Sequence, residues 1–139
     1  WVGGAMTADD WRQLSDQGVT VCVNLRADRS DEFGDRPPEA ALWVPTPERA
    51  MPDADRLMML VGFVDAAVRQ GRRVVLHCRE GTSRGPLAAI ACLAANGMSY
   101  DEAVDALRAA GVRLMASAAQ VAAVRDFIRM WRDQRRDQR

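Results

Sequence analysis

The 139-residue sequence contains no lysine and only one histidine, and its three cysteines show no Cys-x-x-Cys spacing. All 19 basic side chains are therefore Arg, so any anion site must be built from guanidinium groups and backbone amides. A single His and three Cys without Cys-x-x-Cys spacing argue against a zinc site, and neither metal nor cofactor is expected. Cys22, Cys78 and Cys92 cannot close into a set of disulfides, which predicts a reducing, cytoplasmic setting. No apolar run approaches the ~20 residues of a membrane span, and no secretory pattern opens the chain. The basic residues are balanced by 19 acidic ones, and zero net charge argues against a nucleic-acid binder relying on a positive field. No repeat or low-complexity linker interrupts residues 1–139, so one domain is expected. Because the sequence opens on Trp1 rather than Met, further residues are expected upstream.

What is present is an ordinary globular composition, 48% apolar and 27% charged, enough for one core. Trp1-Val2-Gly3 reads as the end of a short strand. Thr7 with Asp10 three residues on predicts a helix N-terminus, with Trp11 and Leu14 facing the core and Gly18 as the stop. Val19 to Asn24 is a β-branched run typical of a buried strand. The charged stretch Arg26 to Ala40, with Gly34, Pro37 and Pro38, reads as a loop. Ala41 to Val44 predicts a strand broken by Pro45 and Pro47. Pro52-Asp53 opens a helix carrying Leu57, Leu60, Val61, Val64 and Val68 at helical spacing, ended by Gly71. Val74 to His77 is a further buried strand, followed by a helix to Asn96-Gly97 and a Ser99-capped helix ending near Gly111. A last helix carries Val121, Val124, Ile128 and Trp131, and the polar stretch 131–139 is expected to fray. Strands alternating with helices predict an α/β fold with a central, mostly parallel sheet flanked by helices.

The chemistry concentrates in His77-Cys78-Arg79-Glu80-Gly81-Thr82-Ser83-Arg84. Cys-x5-Arg alone is weak here, because Arg fills 19 of 139 positions and a chance match to any Cys is about one in seven. The context carries the weight. Cys78 ends a buried strand and Arg84 opens a helix, so loop amides and helix N-terminus converge on one point. Such a nest binds a phosphate dianion and stabilises a thiolate. Gly81 sits mid-loop, where positive φ or close backbone approach favours Gly. Arg84 can grip two phosphoryl oxygens. Arg79, Glu80, Gly81, Thr82, Ser83 and Arg84 thus form a candidate phosphate-binding loop around the nucleophile Cys78. His77, preceding the nucleophile in a strand, is expected to point away and to support the loop by hydrogen bonds. Cys22 and Cys92 read as small core residues.

The octapeptide resembles the His-Cys-x5-Arg signature of the protein tyrosine phosphatase superfamily, in its dual-specificity branch. Trp1-Val2-Gly3-Gly4, the strand from Gly18 to Arg26 and Met98-Ser99-Tyr100-Asp101-Glu102-Ala103 resemble that branch too. The resemblance implies a central sheet flanked by helices, no metal, and a two-step mechanism through a phosphocysteine. It also implies a general acid, usually Asp, on the loop before the helix preceding the signature strand. Val44-Pro45-Thr46-Pro47-Glu48 falls there, which makes Glu48 the first candidate; Asp53 and Asp55 are alternatives, although helix N-terminal carboxylates have a ready structural explanation. Two departures stand out. Gly85 replaces the hydroxyl residue that assists thiolate departure in relatives, and Ser117 falls near where relatives present Asn or Gln to the attacking water.

The implied activity is phosphomonoester hydrolysis, on a phosphoprotein or a small phosphorylated substrate, without nucleic acid or membrane partners. Arg79 and Arg49 would add positive charge at the rim and favour acidic substrates. The competing reading is a phosphate-binding pseudophosphatase or scaffold, motivated by Glu48, Gly85 and Ser117. A Cys-based sulfurtransferase or arsenate reductase ranks third, because no resolving cysteine is evident.

Overall fold

Val19 to Arg26 is the most buried strand of the chain, and its alternation divides the molecule into two layers. Val21, Val23 and Leu25 face one side, where they pack with Leu57, Leu60, Leu87 and Ile90. Val19 and Cys22 face the other, where Val75 and Trp11 close a smaller core. The computed structural model describes residues 1–138. Its elements are β1 (Val2–Gly3), α1 (Ala8–Asp16), β2 (Val19–Arg26), β3 (Ala40–Thr46) and α2 (Ala54–Arg69). They continue with β4 (Arg73–His77), α3 (Arg84–Ala95), α4 (Tyr100–Ala109) and α5 (Ala118–Asp137). The strands form one sheet in the order β1-β4-β2-β3, and every pairing is parallel. This is an α/β cysteine-phosphatase-like architecture, with the helix-rich second half of the chain covering one face.

Helix starts follow the expected chemistry. Thr7, Ser99 and Ser117 each cap a helix in a reciprocal box with Asp10, Glu102 and Gln120, and Asp53 caps α2 through Arg56 N at 2.9 Å. The loop between β2 and β3 is folded back over α1. There Trp11 Nε1 donates to Arg36 O at 2.7 Å, and the Trp11 and Phe33 rings meet edge to face with centroids 5.2 Å apart.

Three expectations are corrected. Strand β3 does not stop at Pro45 but runs on to Thr46. It is an edge strand, so the missing N–H of Pro45 costs little. Its register against β2 slips there: Asn24 pairs with Trp43 and Arg26 with Thr46, which leaves the extra residue a proline bulge accommodates. Val68 is 54% exposed, and Ala67 takes the buried position on α2. The tail expected to fray is helical to Asp137, because Trp131 packs on Phe127 at 5.9 Å, Arg135 lies over the Trp131 ring at 5.0 Å, and Arg132 donates to Met98 O at 3.2 Å. Arg139, the end of that tail, lies outside the described residues.

The carboxyl ends of β2, β3 and β4 meet the N-terminus of α3, the usual place for a ligand crevice in a parallel sheet. Trp11→Ala is expected to cost about 3–5 kcal/mol in urea unfolding. Val68→Ala, on the exposed face, is expected to stay within about 0.5 kcal/mol.

Candidate active site

The turn from β4 to α3 wraps around Cys78, whose side chain is almost fully buried. Its Sγ accepts N–H bonds from Gly81 at 3.3 Å and Gly85 at 3.4 Å. Ser83 occupies the N-cap position of α3 but makes no side-chain capping bond, and no acidic residue stands in the first turn. The positive end of the helix is thus left uncompensated by the chain and directed at the sulfur. The other two thiols contrast sharply. Burial, and then the charge of Asp31, pushes the Cys22 thiol far up, and burial pushes that of Cys92 up to about 12. Both stay protonated and inert at neutral pH.

A second segment shapes the loop from outside. Ala5 N donates to Arg79 O at 2.9 Å, and Cys78 N donates to Gly3 O at 3.3 Å. Gly81 adopts φ 73°, and a Cβ on it would lie 2.7 Å from Gly4 N. Both conditions require glycine. On the far side, Met115 N donates to Thr82 O at 2.7 Å, so the connection between α4 and α5 also holds the loop.

Arg84 is 3% exposed and comes from the first residue of α3. Its Nη1 donates to Thr46 O at 2.6 Å and Leu25 O at 3.3 Å, at the ends of β3 and β2. That fixes the guanidinium plane and leaves Nε and Nη2 as its uncommitted donors. A planar fork held in this way can present two parallel N–H bonds to an oxyanion.

The rim carries charges of both signs. Arg26 pairs with Asp28 through two bonds of 2.9 and 2.7 Å, which hold the Asp28 carboxyl down at about 2. Asp28 therefore stays ionised and cannot supply a proton near neutral pH. Glu48, 58% exposed, lies 3.3 Å from Arg79 Nη1, so the candidate acid is brought to the residue next to Cys78. It sits in a tight turn where Ala50 N donates to Pro47 O at 3.2 Å and Arg49 takes a left-handed φ of 65°. Asp53 is engaged as the α2 cap, and Asp55 lies in that helix's first turn. Glu80 lies 4.0 Å from Arg79 Nε. Ser117 Oγ accepts from Gln120 N at 3.1 Å as the α5 cap. Gln120, which the sequence reading missed, is buried and donates from Nε2 to Ala50 O at 3.0 Å, bracing the Glu48 turn.

His77 points to the opposite face of the sheet, where its Nε2 meets Asp31 Oδ2 at 2.9 Å. The Cys22 thiol donates to the same oxygen at 3.2 Å. These three are the one cluster of potential metal ligands among the described residues, with ligand atoms within 4.8 Å of one another. Two hydrogen bonds to one carboxylate oxygen account for the arrangement without an ion. No motif marked Asp31, whose role depends on a contact across 46 residues of sequence.

Fold and loop together define the class: a dual-specificity branch domain of the protein tyrosine phosphatase superfamily. The chain matches the family described as "Polymorphic toxin system, DSP-PTPase phosphatase" over residues 2–98, and it belongs to that family. Among solved structures, human DUSP28 is similar with a TM-score of 0.85 at 24% identity, covering 96% of this chain and 94% of that one. PTPMT1 in complex with PI(5)P gives 0.81 at 18% identity, covering 96% and 92%. Tk-PTP in the active form gives 0.79 at 19% identity, covering 91% and 89%. These likenesses concern the fold. A comparison with curated proteins finds no match.

Two glycines of the loop differ in a testable way. At Gly85 an added Cβ would meet only ordinary contacts, 3.5 Å from Val2 Cγ1 and 3.6 Å from Cys78 Sγ. Gly81→Ala is expected to cost about 2–4 kcal/mol in denaturant unfolding, from backbone strain plus overlap. Gly85→Ala is expected to cost under about 1.5 kcal/mol.

Proposed function

We propose that the chain is a phosphomonoester hydrolase acting through a Cys78 phosphocysteine, on a phosphoprotein or another phosphorylated substrate. The observation that carries this reading is the pair of N–H bonds to Cys78 Sγ at the open N-terminus of α3. The amides and helix end that surround the sulfur also favour a bound phosphoryl dianion. Sγ attacks phosphorus, the ester P–O bond breaks, and the leaving oxygen takes a proton from Glu48. Water then attacks phosphorus, the S–P bond breaks, the water proton passes to Glu48, and inorganic phosphate leaves. Arg84, through Nε and Nη2, holds two equatorial oxygens in both steps. The chemistry needs a reduced thiol, and on that ground we read the setting as cytoplasmic.

The runner-up, a phosphate-binding pseudophosphatase, draws on Glu48 and Gly85. Glu48 is engaged by Arg79 Nη1 at 3.3 Å rather than free to meet a leaving group. Gly85 offers no hydroxyl to the departing thiolate. The deciding experiment is hydrolysis of p-nitrophenyl phosphate by wild type and Cys78→Ser. A rate lost in the variant supports the enzyme; equal, near-zero rates sink it.

Two further outcomes follow from the roles. Glu48→Gln is expected to slow hydrolysis of alkyl phosphates by about 10²–10⁴-fold, and of activated aryl phosphates much less. Equal losses on both substrate types would remove Glu48 from the acid role. Gly85→Ser would place its Cβ at ordinary contact distance, 3.6 Å from Cys78 Sγ. It is expected to shrink the pre-steady-state burst and raise kcat, measured by rapid quench on an aryl phosphate.

A further inference from the structure

Asp31 takes no part in the reaction scheme above, yet its side chain is only 9% exposed. Burying a carboxylate is costly unless its oxygens are satisfied, and an apolar residue would fill the same space at less expense. The loop 27–39 that carries it is charged and leaves the sheet at Arg26, on the rim of the Cys78 site. Asp28, Glu32, Asp35 and Glu39 are exposed, but Asp31 turns inward, and its Oδ2 accepts from His77 Nε2 on β4 and from the Cys22 thiol on β2. One oxygen thus pins the loop to two neighbouring strands.

The contact also decides the state of the imidazole. His77 is 1% exposed, and its Nδ1 is buried with no hydrogen-bond partner. A proton on Nδ1 would be a buried donor with no acceptor, a cost of about 1–3 kcal/mol. An unpaired acceptor is better tolerated. Asp31 therefore selects the Nε2–H tautomer. The charged groups around it fit this assignment: the Cys22 thiol donates, and the Arg26 guanidinium is committed to Asp28.

His77 is the last residue of β4, and the next peptide carries Cys78. We propose that Asp31 is a positioning residue for the nucleophile: by fixing the ring and tautomer of His77 it holds the strand-to-loop junction at which Cys78 Sγ receives the Gly81 and Gly85 amides. Its kinetic consequence rests on the phosphatase reading; the positioning itself does not.

Because His77 is the only histidine, ¹⁵N-histidine labelling gives an imidazole spectrum that needs no assignment. At neutral pH the wild type should show one pyrrole-type nitrogen, bearing its proton at Nε2, and one pyridine-type nitrogen. Asp31→Ala should give mixed tautomers, slow Cys78 alkylation by iodoacetate, and lower kcat by about 10- to 100-fold. Asp31→Asn, whose amide oxygen can accept from Nε2–H, should restore the single tautomer and most of both rates. An imidazolium or an Nδ1–H tautomer in the wild type would overturn the proposal. So would wild-type rates in a folded Asp31→Ala, or an Asp31→Asn as impaired as Asp31→Ala. Should Asp31→Ala not fold, the wild-type and Asp31→Asn spectra decide. A wild type without turnover removes the phosphatase reading alone, since the spectrum and the alkylation rates still judge Asp31.

Discussion

A sulfur atom that accepts N–H bonds from Gly81 and Gly85 requires a chain that passes from a parallel strand into a helix within a few residues, with its amides turned inward. Much of the rest of the molecule can be understood as meeting that requirement. The parallel sheet brings the carboxyl ends of three strands to one edge, and two of them offer the carbonyls that fix Arg84. Backbone at Gly3 and Ala5 presses the loop from one side, and Met115 anchors it from the other. Because these contacts are made by main chain, they tolerate side-chain drift elsewhere. What they do not tolerate is a Cβ at Gly81.

Cys78 and Glu48 rest on different supports. Cys78 is enclosed by the sheet, by α3 and by the buried link from His77 to Asp31. Glu48 stands in solvent on a turn held by a left-handed Arg49, one backbone bond and the side chain of Gln120. Exposed ion pairs such as Glu48 with Arg79 contribute little to stability.

The loop was legible in the sequence because its properties are local. A strand, a glycine and an arginine within eight residues suffice to aim amides at one point, and the family and fold agree with that reading. What escaped was set by distant partners. Asp31 is one acid in a charged loop until β4 brings His77 to it. Gln120 reads as a polar helix residue until α5 lies against Ala50, 70 positions away in sequence. Pro45 looked like a strand terminator because its edge position depends on strand order, which the local pattern does not contain. The tail is solvated from Arg132 on, as its composition implies, but it looked frayed because a ring beneath an arginine leaves no periodic signature.

The bond from Gln120 to Ala50 gives this architecture an order of failure. It joins the Glu48 turn to the last helix, while the sulfur's surroundings are closed by elements earlier in the chain together with the segment at Met115. Losing that one bond, with α5 still packed on α3, would free the Glu48 turn while the amides around the sulfur stay in place. On the phosphatase reading, such a copy would keep its grip on phosphate after losing the means to release the alcohol, and would persist as a competitor for the intact protein's substrates.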